Sequence, residues 1–187
     1  MHPSFRLLAA SLILLLLAAC ASIPLGTLWR LRGFDVDTLV QLDPAELRAA
    51  VALQPDHPLE PDSVRLGLEL SRRDGETDHY TFALVPTREP GPTKSGWNYS
   101  TWALDAPGRR EFARMQQVLG AAGDDIKAVY SGATFSVEFN PNFGGSVPES
   151  LRMSAQLRLA LAEGYFLLVD DAVIPVEGFR RAQEDEN

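Results

Sequence analysis

Side chains that carry reactive chemistry are scarce in this protein. Its 187 residues include one cysteine and three histidines. A single cysteine forms no intrachain disulfide and builds no cysteine-based zinc site. Positive charge is also in deficit, with 17 Lys and Arg against 25 Asp and Glu and a formal charge of −8. That balance argues against nucleic acid as a partner, because phosphate binding needs a cationic surface. No Gly-x-Ser-x-Gly elbow occurs, and Gly144-Gly145-Ser146 lacks the strand–turn–helix setting of one. No glycine-rich phosphate loop with its lysine is present. No apolar run reaches the roughly 20 residues that a permanent bilayer-crossing helix needs. What remains is an ordinary balance of 45% apolar and 22% charged residues, enough for one folded domain.

The apolar residues are unevenly spread. Arg6 is the one charge ahead of Leu7–Leu17, an uninterrupted apolar or small stretch, and Leu17-Ala18-Ala19-Cys20 follows. A short basic start, roughly 7–15 apolar residues and small residues at the cut mark a secretory signal. The tetrapeptide resembles the lipobox of bacterial lipoproteins, Leu-Ala-Gly/Ala-Cys, at all four positions. The resemblance implies cleavage between Ala19 and Cys20, a diacylglyceryl group on the Cys20 thiol and a fatty acyl group such as palmitate on the new amino terminus. Each buried methylene contributes about 0.8 kcal/mol, and two or more chains anchor stably where one does not. Ala21, in place of Asp, resembles the outer-membrane class of these proteins, held at the periplasmic face. Losing Arg6 with the signal moves the charge from −8 to −9, so lipid rather than general headgroup attraction is expected to hold the domain at the membrane. Pro24-Leu25, Trp29-Arg30-Leu31-Arg32 and Phe34-Asp35 make the start of the mature chain similar to uncharacterised proteobacterial lipoproteins, a likeness that brings no activity with it.

The organisation expected is a signal peptide over 1–19, a lipidated cysteine and short tether over 20–26, a single periplasmic domain over 27–179 and a frayed charged tail over 180–187. Leu28–Arg32 reads as a first core element that buries Trp29, in preference to a patch for anionic headgroups. Asp43-Pro44-Ala45-Glu46 suits a helix start, with Asp43 as cap, Pro44 at the first position and Glu46 completing a capping-box pair. Residues 47–53 stay open: their alanines favour helix, while Val51 and Leu53 before Pro55 allow strand. The clearest element is a hairpin. Leu66, Leu68 and Leu70 alternate with polar positions, Asp74-Gly75 supplies the turn, and Tyr80–Leu84 returns with the same period.

Trp97–Leu104 predicts a third strand, and Asp105-Ala106-Pro107 opens a helix with Phe112, Met115, Val118 and Leu119 on one side. Ala133–Phe139 alternates as a strand. Residues 151–161 read as a strand that places Leu151, Met153, Ala155, Leu157, Leu159 and Leu161 on one face. Glu163-Gly164 turns into Tyr165–Val169, and Asp170-Asp171 turns into Ala172–Val176. The short connections point to antiparallel pairing. The fold class expected is α+β: a mainly antiparallel β-sheet of six to eight strands with one main helix packed on it.

His57 and His79 lack spaced partners of zinc type and read as surface residues, so no metal site and no cofactor is expected. Asp124-Asp125 and Asp170-Asp171 read as solvated turn acids rather than acid–base pairs. Two loops could bind a partner, and the alternative for each is closure by its own aromatic rings. Pro86–Gly96 leads into Trp97, Tyr99 and Trp102, amphipathic rings favoured at recognition surfaces, with Trp97 and Trp102 expected on opposite faces. Phe143 sits at the tip of the second loop. The reading is a non-catalytic, lipid-anchored envelope protein whose periplasmic domain binds a protein or another envelope component through Trp97, Tyr99, Trp102 and Phe143. Alternatives are a carrier for a lipid or other apolar ligand and, last, an anchored hydrolase.

Overall fold

The computed structural model describes residues 36–143 and 148–176. Ala19, Cys20, the tether 20–26, the Trp29 segment, Gly144-Gly145-Ser146 and the tail 180–187 lie outside the described residues.

Period-two sequence becomes one seven-stranded antiparallel sheet. Its strands are β1 (Arg48–Gln54), β2 (Arg65–Arg72), β3 (Thr77–Pro86), β4 (Ser100–Leu104), β5 (Tyr130–Glu138), β6 (Ser150–Arg158) and β7 (Phe166–Pro175). Their spatial order is β5-β2-β3-β4-β1-β6-β7. β2 and β3 form the hairpin, with Leu66 opposite Phe82 and Leu68 opposite Tyr80. Gly75 takes a positive φ at the tip, where Asp74 accepts the Glu76 N–H. β3 is long enough to serve two neighbours: Thr77–Ala83 pair with β2, and Leu84–Pro86 pair with β4. It therefore joins the two halves of the sheet.

One face of the sheet carries the core. Three helices are described: α1 (Val36–Gln41), α2 (Ala106–Ala121) and α3 (Ile126–Val129). The Asp105 carboxylate caps α2 by accepting the Gly108 N–H at 2.5 Å. Gly108, Phe112, Met115 and Leu119 face inward, and the Phe112 ring lies 5.2 Å from Phe82. Val118, expected on that side, is 67% exposed. The buried stripe steps by four, three and four residues, which turns position 118 outward. α1 had no sequence signal of its own. It is tied to α2 by Gln116, whose Nε2 donates to Leu39 O, Val40 O and Leu42 O.

Several expectations need correction. Asp43–Glu46 makes one turn and no helix, with Asp43 accepting the Ala45 N–H. Glu46 instead accepts the Leu161 N–H at 2.8 Å. Residues 48–54 are strand β1, buried on both faces from Ala49 to Leu53. Their alanines serve close packing on the second face rather than helix propensity. Residues 150–158 are strand, but the strand ends before Leu161, which is exposed. The strand expected over 97–104 starts only at Ser100. Asp170-Asp171 is no turn: β7 runs through it with two shifts of register, and Asp171 has φ 54°. Extra residues absorbed in one strand form bulges, which keep the ladder continuous while bending it.

Candidate functional site

The second face of the sheet is where the segment 87–99 lies. Its proline and glycine content removes donors and regular period, so it cannot continue β3. It crosses the sheet as a strap instead. The Thr87 N–H donates to Thr101 O at 2.8 Å, and Thr101 Oγ1 donates to Glu89 O at 2.7 Å. Glu89 then reaches over the sheet to two arginines that are cross-strand partners, Arg48 on β1 and Arg158 on β6. Arg48 Nε and Nη2 donate to Glu89 Oε1 at 2.9 and 2.5 Å, and Arg158 Nη2 donates to Oε2 at 2.8 Å. Both arginine side chains are 13% exposed, and that of Glu89 is 37% exposed. Hydrogen bonds from Arg48 and then Arg158 hold the Glu89 carboxyl below its ordinary range. The Arg158 guanidinium also lies over the Tyr165 ring at 5.3 Å. Burial raises the Tyr165 phenol.

The far end of the strap is held by charge and by one ring. Lys94 pairs with Asp170, and Arg152 on β6 pairs with Asp171. The bulge in β7 thus presents two neighbouring carboxylates to two different cations. The Arg152 hydrogen bond lowers the Asp171 carboxyl. Both cations lie against the Trp97 ring, Lys94 Nζ 5.0 Å and Arg152 Cζ 5.8 Å from its centroid. Gln54 links to Gly96 O and, through Oε1, to Arg152. Gly91 is required by close approach: a Cβ there would lie 2.9 Å from Tyr99 Cβ. Beneath the strap Tyr99, Ser154 and Gln156 bond to one another, while Arg158 Nε and Tyr165 Oη are enclosed without a hydrogen-bond partner. Tyr99 Oη and Ser154 Oγ are 2.7 Å apart, and Gln156 Nε2 donates to Tyr99 Oη at 3.0 Å.

The four residues expected to form a recognition surface are thus separated. Trp97 and Tyr99 are together on the strap, Trp97 half-buried at its outer end and Tyr99 turned onto β6. Trp102 leaves the surface altogether: it is 4% exposed on the core face, and its Nε1 donates to Ser100 Oγ. Alternation put the two tryptophans on opposite faces, and the core took Trp102. Phe143 is not an exposed tip. It packs edge-on to His57, with ring centroids 5.3 Å apart and planes at 76°. Backbone bonds from Glu60 to Asn140 and from Asn142 to Pro58 bring these loops together.

His57 is correspondingly half-buried, and its Nε2 is enclosed without a hydrogen-bond partner. It lines a cleft of about 130 Å³ with Val51, Leu53, Leu59, Asn98 and Tyr99. That volume is below the roughly 300–1,000 Å³ of pockets that enclose small organic ligands. His79 is exposed, 3.5 Å from Glu69. Among the described residues, no three His, Cys, Asp or Glu side chains gather as metal ligands.

Glu89, Arg48, Arg158, Lys94 and Arg152 were not singled out from sequence. The available signal was indirect: Ala50 and Ala52 in β1, and Ser154 and Gln156 in β6, are small or polar where a second covered face needs them. Compared with known proteins, the chain matches no family model, no curated sequence and no solved structure.

Proposed function

We propose that this protein is a non-catalytic, lipid-anchored component of the bacterial envelope, held at the periplasmic face of the outer membrane, whose domain binds a protein or another envelope component. The observation that carries the anchored half is Leu17-Ala18-Ala19-Cys20, with its cysteine unique in the chain. The binding half is supported by Trp97, a large ring in contact with two cations on a braced segment, since Trp and Arg dominate the energetics of protein interfaces. The acids at the two ends of the strap, Asp170 and Asp171 near Trp97 and Glu89 away from it, are each engaged by a cation, a geometry that suits recognition better than proton transfer.

Growth with a labelled fatty acid tests the anchor. The parent chain should incorporate the label at Cys20, and Cys20→Ser should incorporate none. Equal incorporation by the two, or none by either, would remove the anchored reading.

A further inference from the structure

Arg48 and Arg158 are two cations that share one anion. Among the described residues, Glu89 is the one carboxylate in ion-pair contact with either of them, so the group keeps one positive charge in excess. The acids just before Arg48 are engaged elsewhere: Asp43 accepts the Ala45 N–H and Glu46 accepts the Leu161 N–H. Glu163, in the turn before Tyr165, is exposed and pairs with neither arginine.

The hydrogen bonds are also unevenly filled. A guanidinium projects its Nε–H and one Nη2 N–H from the same edge, as a fork that matches a pair of anion oxygens. Arg48 uses both tines on Glu89 Oε1, at 2.9 and 2.5 Å, whereas Arg158 uses only Nη2, on Oε2 at 2.8 Å. Arg158 Nε is enclosed with no partner, and so is Tyr165 Oη. The Arg158 guanidinium lies over the Tyr165 ring, 5.3 Å from its centroid. After burial, the charges of Arg158, Glu89 and Arg48 act on the Tyr165 phenol, which places it close to the same group. Enclosed donors left unmade are costly, and two at one cluster mark an acceptor that a flat carboxylate with two oxygens does not supply. A phosphate monoester is tetrahedral, offers three oxygens and carries about −1.5 to −2 at neutral pH. It matches both forks and the phenol, and it neutralises both arginines.

Each guanidinium has a hold of its own apart from Glu89. Arg48 Nη1 donates to Ala45 O and Leu47 O at 2.7 and 2.8 Å, and Arg158 rests on the Tyr165 ring. Glu89 comes from the strap and is the most exposed of the three charges, at 37% against 13%. Its backbone is tied at both ends, the N–H to Thr87 Oγ1 and the carbonyl to Thr101 Oγ1. Its side chain can therefore turn out to solvent while the strap stays closed.

We propose that Arg48, Arg158 and Tyr165 form a receptor for a phosphate group, and that Glu89 is the internal occupant which the phosphate displaces. The proposal stands whether or not the chain is anchored. The chemistry recognised is a dianionic phosphate, free or carried on a lipid headgroup.

The test titrates the full-length protein at neutral pH and fixed ionic strength with two probes, inorganic phosphate and monomeric dihexanoyl phosphatidic acid, followed by calorimetry. Glu89→Gln removes the competing charge and should bind at least one probe about tenfold more tightly than the parent. In that background Arg158→Lys, which keeps a charge but loses the fork, should weaken binding about tenfold, and Tyr165→Phe about threefold. Should Glu89→Gln fail to fold by circular dichroism, Glu89→Asp, too short to fill both forks, serves the same comparison. Tighter binding of the phosphatidic acid marks a lipid headgroup as the source, and inorganic phosphate bound as tightly or more so marks the free anion. Equal affinity of the parent and the Glu89 variant overturns the proposal. So does binding of neither probe, or binding that Arg158→Lys leaves unchanged.

Discussion

The outer face of the sheet is two different surfaces on one ladder. Over β5, β2 and β3 it is open to solvent, with Glu69, His79, Thr81, Thr134 and Ser136 exposed. Over β4, β1 and β6 it is roofed by the strap, with Ala50 at 0% exposure and Thr101, Ser154 and Gln156 buried. The core face is alike beneath both halves, being lined with Leu66, Leu68 and Leu70 on one side and Val51, Leu151 and Leu157 on the other. The roof is therefore not an extension of the apolar core. It is a second layer held by ion pairs and by a paired polar network, whose hydrogen bonds gain strength from enclosure. The Glu89 ion pairs and the bonds among Tyr99, Ser154 and Gln156 favour one arrangement of the strap, and that arrangement sets the place of Trp97.

Breaking the roof should cost more than any equivalent change on the open half. The largest effect is expected for Glu89→Gln, which leaves Arg48 and Arg158 facing each other without their shared carboxylate. Removing one partner costs about 3–5 kcal/mol in a fully buried pair and roughly 0–1 in an exposed one. With Glu89 itself 37% exposed, about 2 kcal/mol is expected from denaturant unfolding at pH 7. The pH dependence has a defined sign. Because the native carboxyl is depressed, its contribution is present above the ordinary value of 4.5 and is lost as pH falls through the native value. The parent should therefore lose stability on acidification below about pH 4.5, and Glu89→Gln should lose less.

Next in size is a pair of glycine substitutions. Gly91→Ala should destabilise by about 1.5 kcal/mol, since its methyl group would meet the fixed Tyr99 Cβ and lift the strap. Gly67→Ala, on the open half, collides only with the rotatable Ser136 hydroxyl and should stay within about 0.5 kcal/mol of the parent. Equal losses would mean that the strap is not a tightly fitted layer.

A smaller loss than that of Gly91→Ala belongs to the core face of the open half, where Tyr130 donates to Asp78 at 2.6 Å. That bond, burial and nearby charge push the Tyr130 phenol up to about 12. A raised native value means that the contribution is whole below pH 10 and is lost as pH rises toward about 12. Tyr130→Phe should cost about 1 kcal/mol at pH 7 and flatten the alkaline limb of stability. The acid-sensitive contact is thus on the roofed half and the alkali-sensitive one on the open half.

Much of the fold was legible in the sequence because its period is strong. Leu66, Leu68 and Leu70 announce a strand with one buried face, and Asp105-Ala106-Pro107 announces a helix start. The α+β architecture follows from them. Residues 47–53 could not be resolved by period, because a strand buried on both faces has no alternation to read. Val118 misled because apolar character does not by itself say which side of a helix is inward. The strap was visible as a segment unable to form regular structure. Its course was not, because long-range ion pairs such as Arg48–Glu89 leave no local pattern. Asp170-Asp171 looked like a turn because paired acids favour turns, whereas here Lys94 and Arg152 stabilise them within a bulge.

That bulge has a consequence for how the molecule behaves among its own copies. Among the described residues β7 is an outer strand of the sheet, and the backbone edge of an outer strand is a template on which another chain could add a strand. Its ladder changes register twice, so the stretch Ala172–Pro175 is the longest that keeps one register with β6. It closes on a proline, which has no N–H to offer. An incoming strand would lose step after a few residues, which guards a crowded population of this protein against edge-to-edge aggregation.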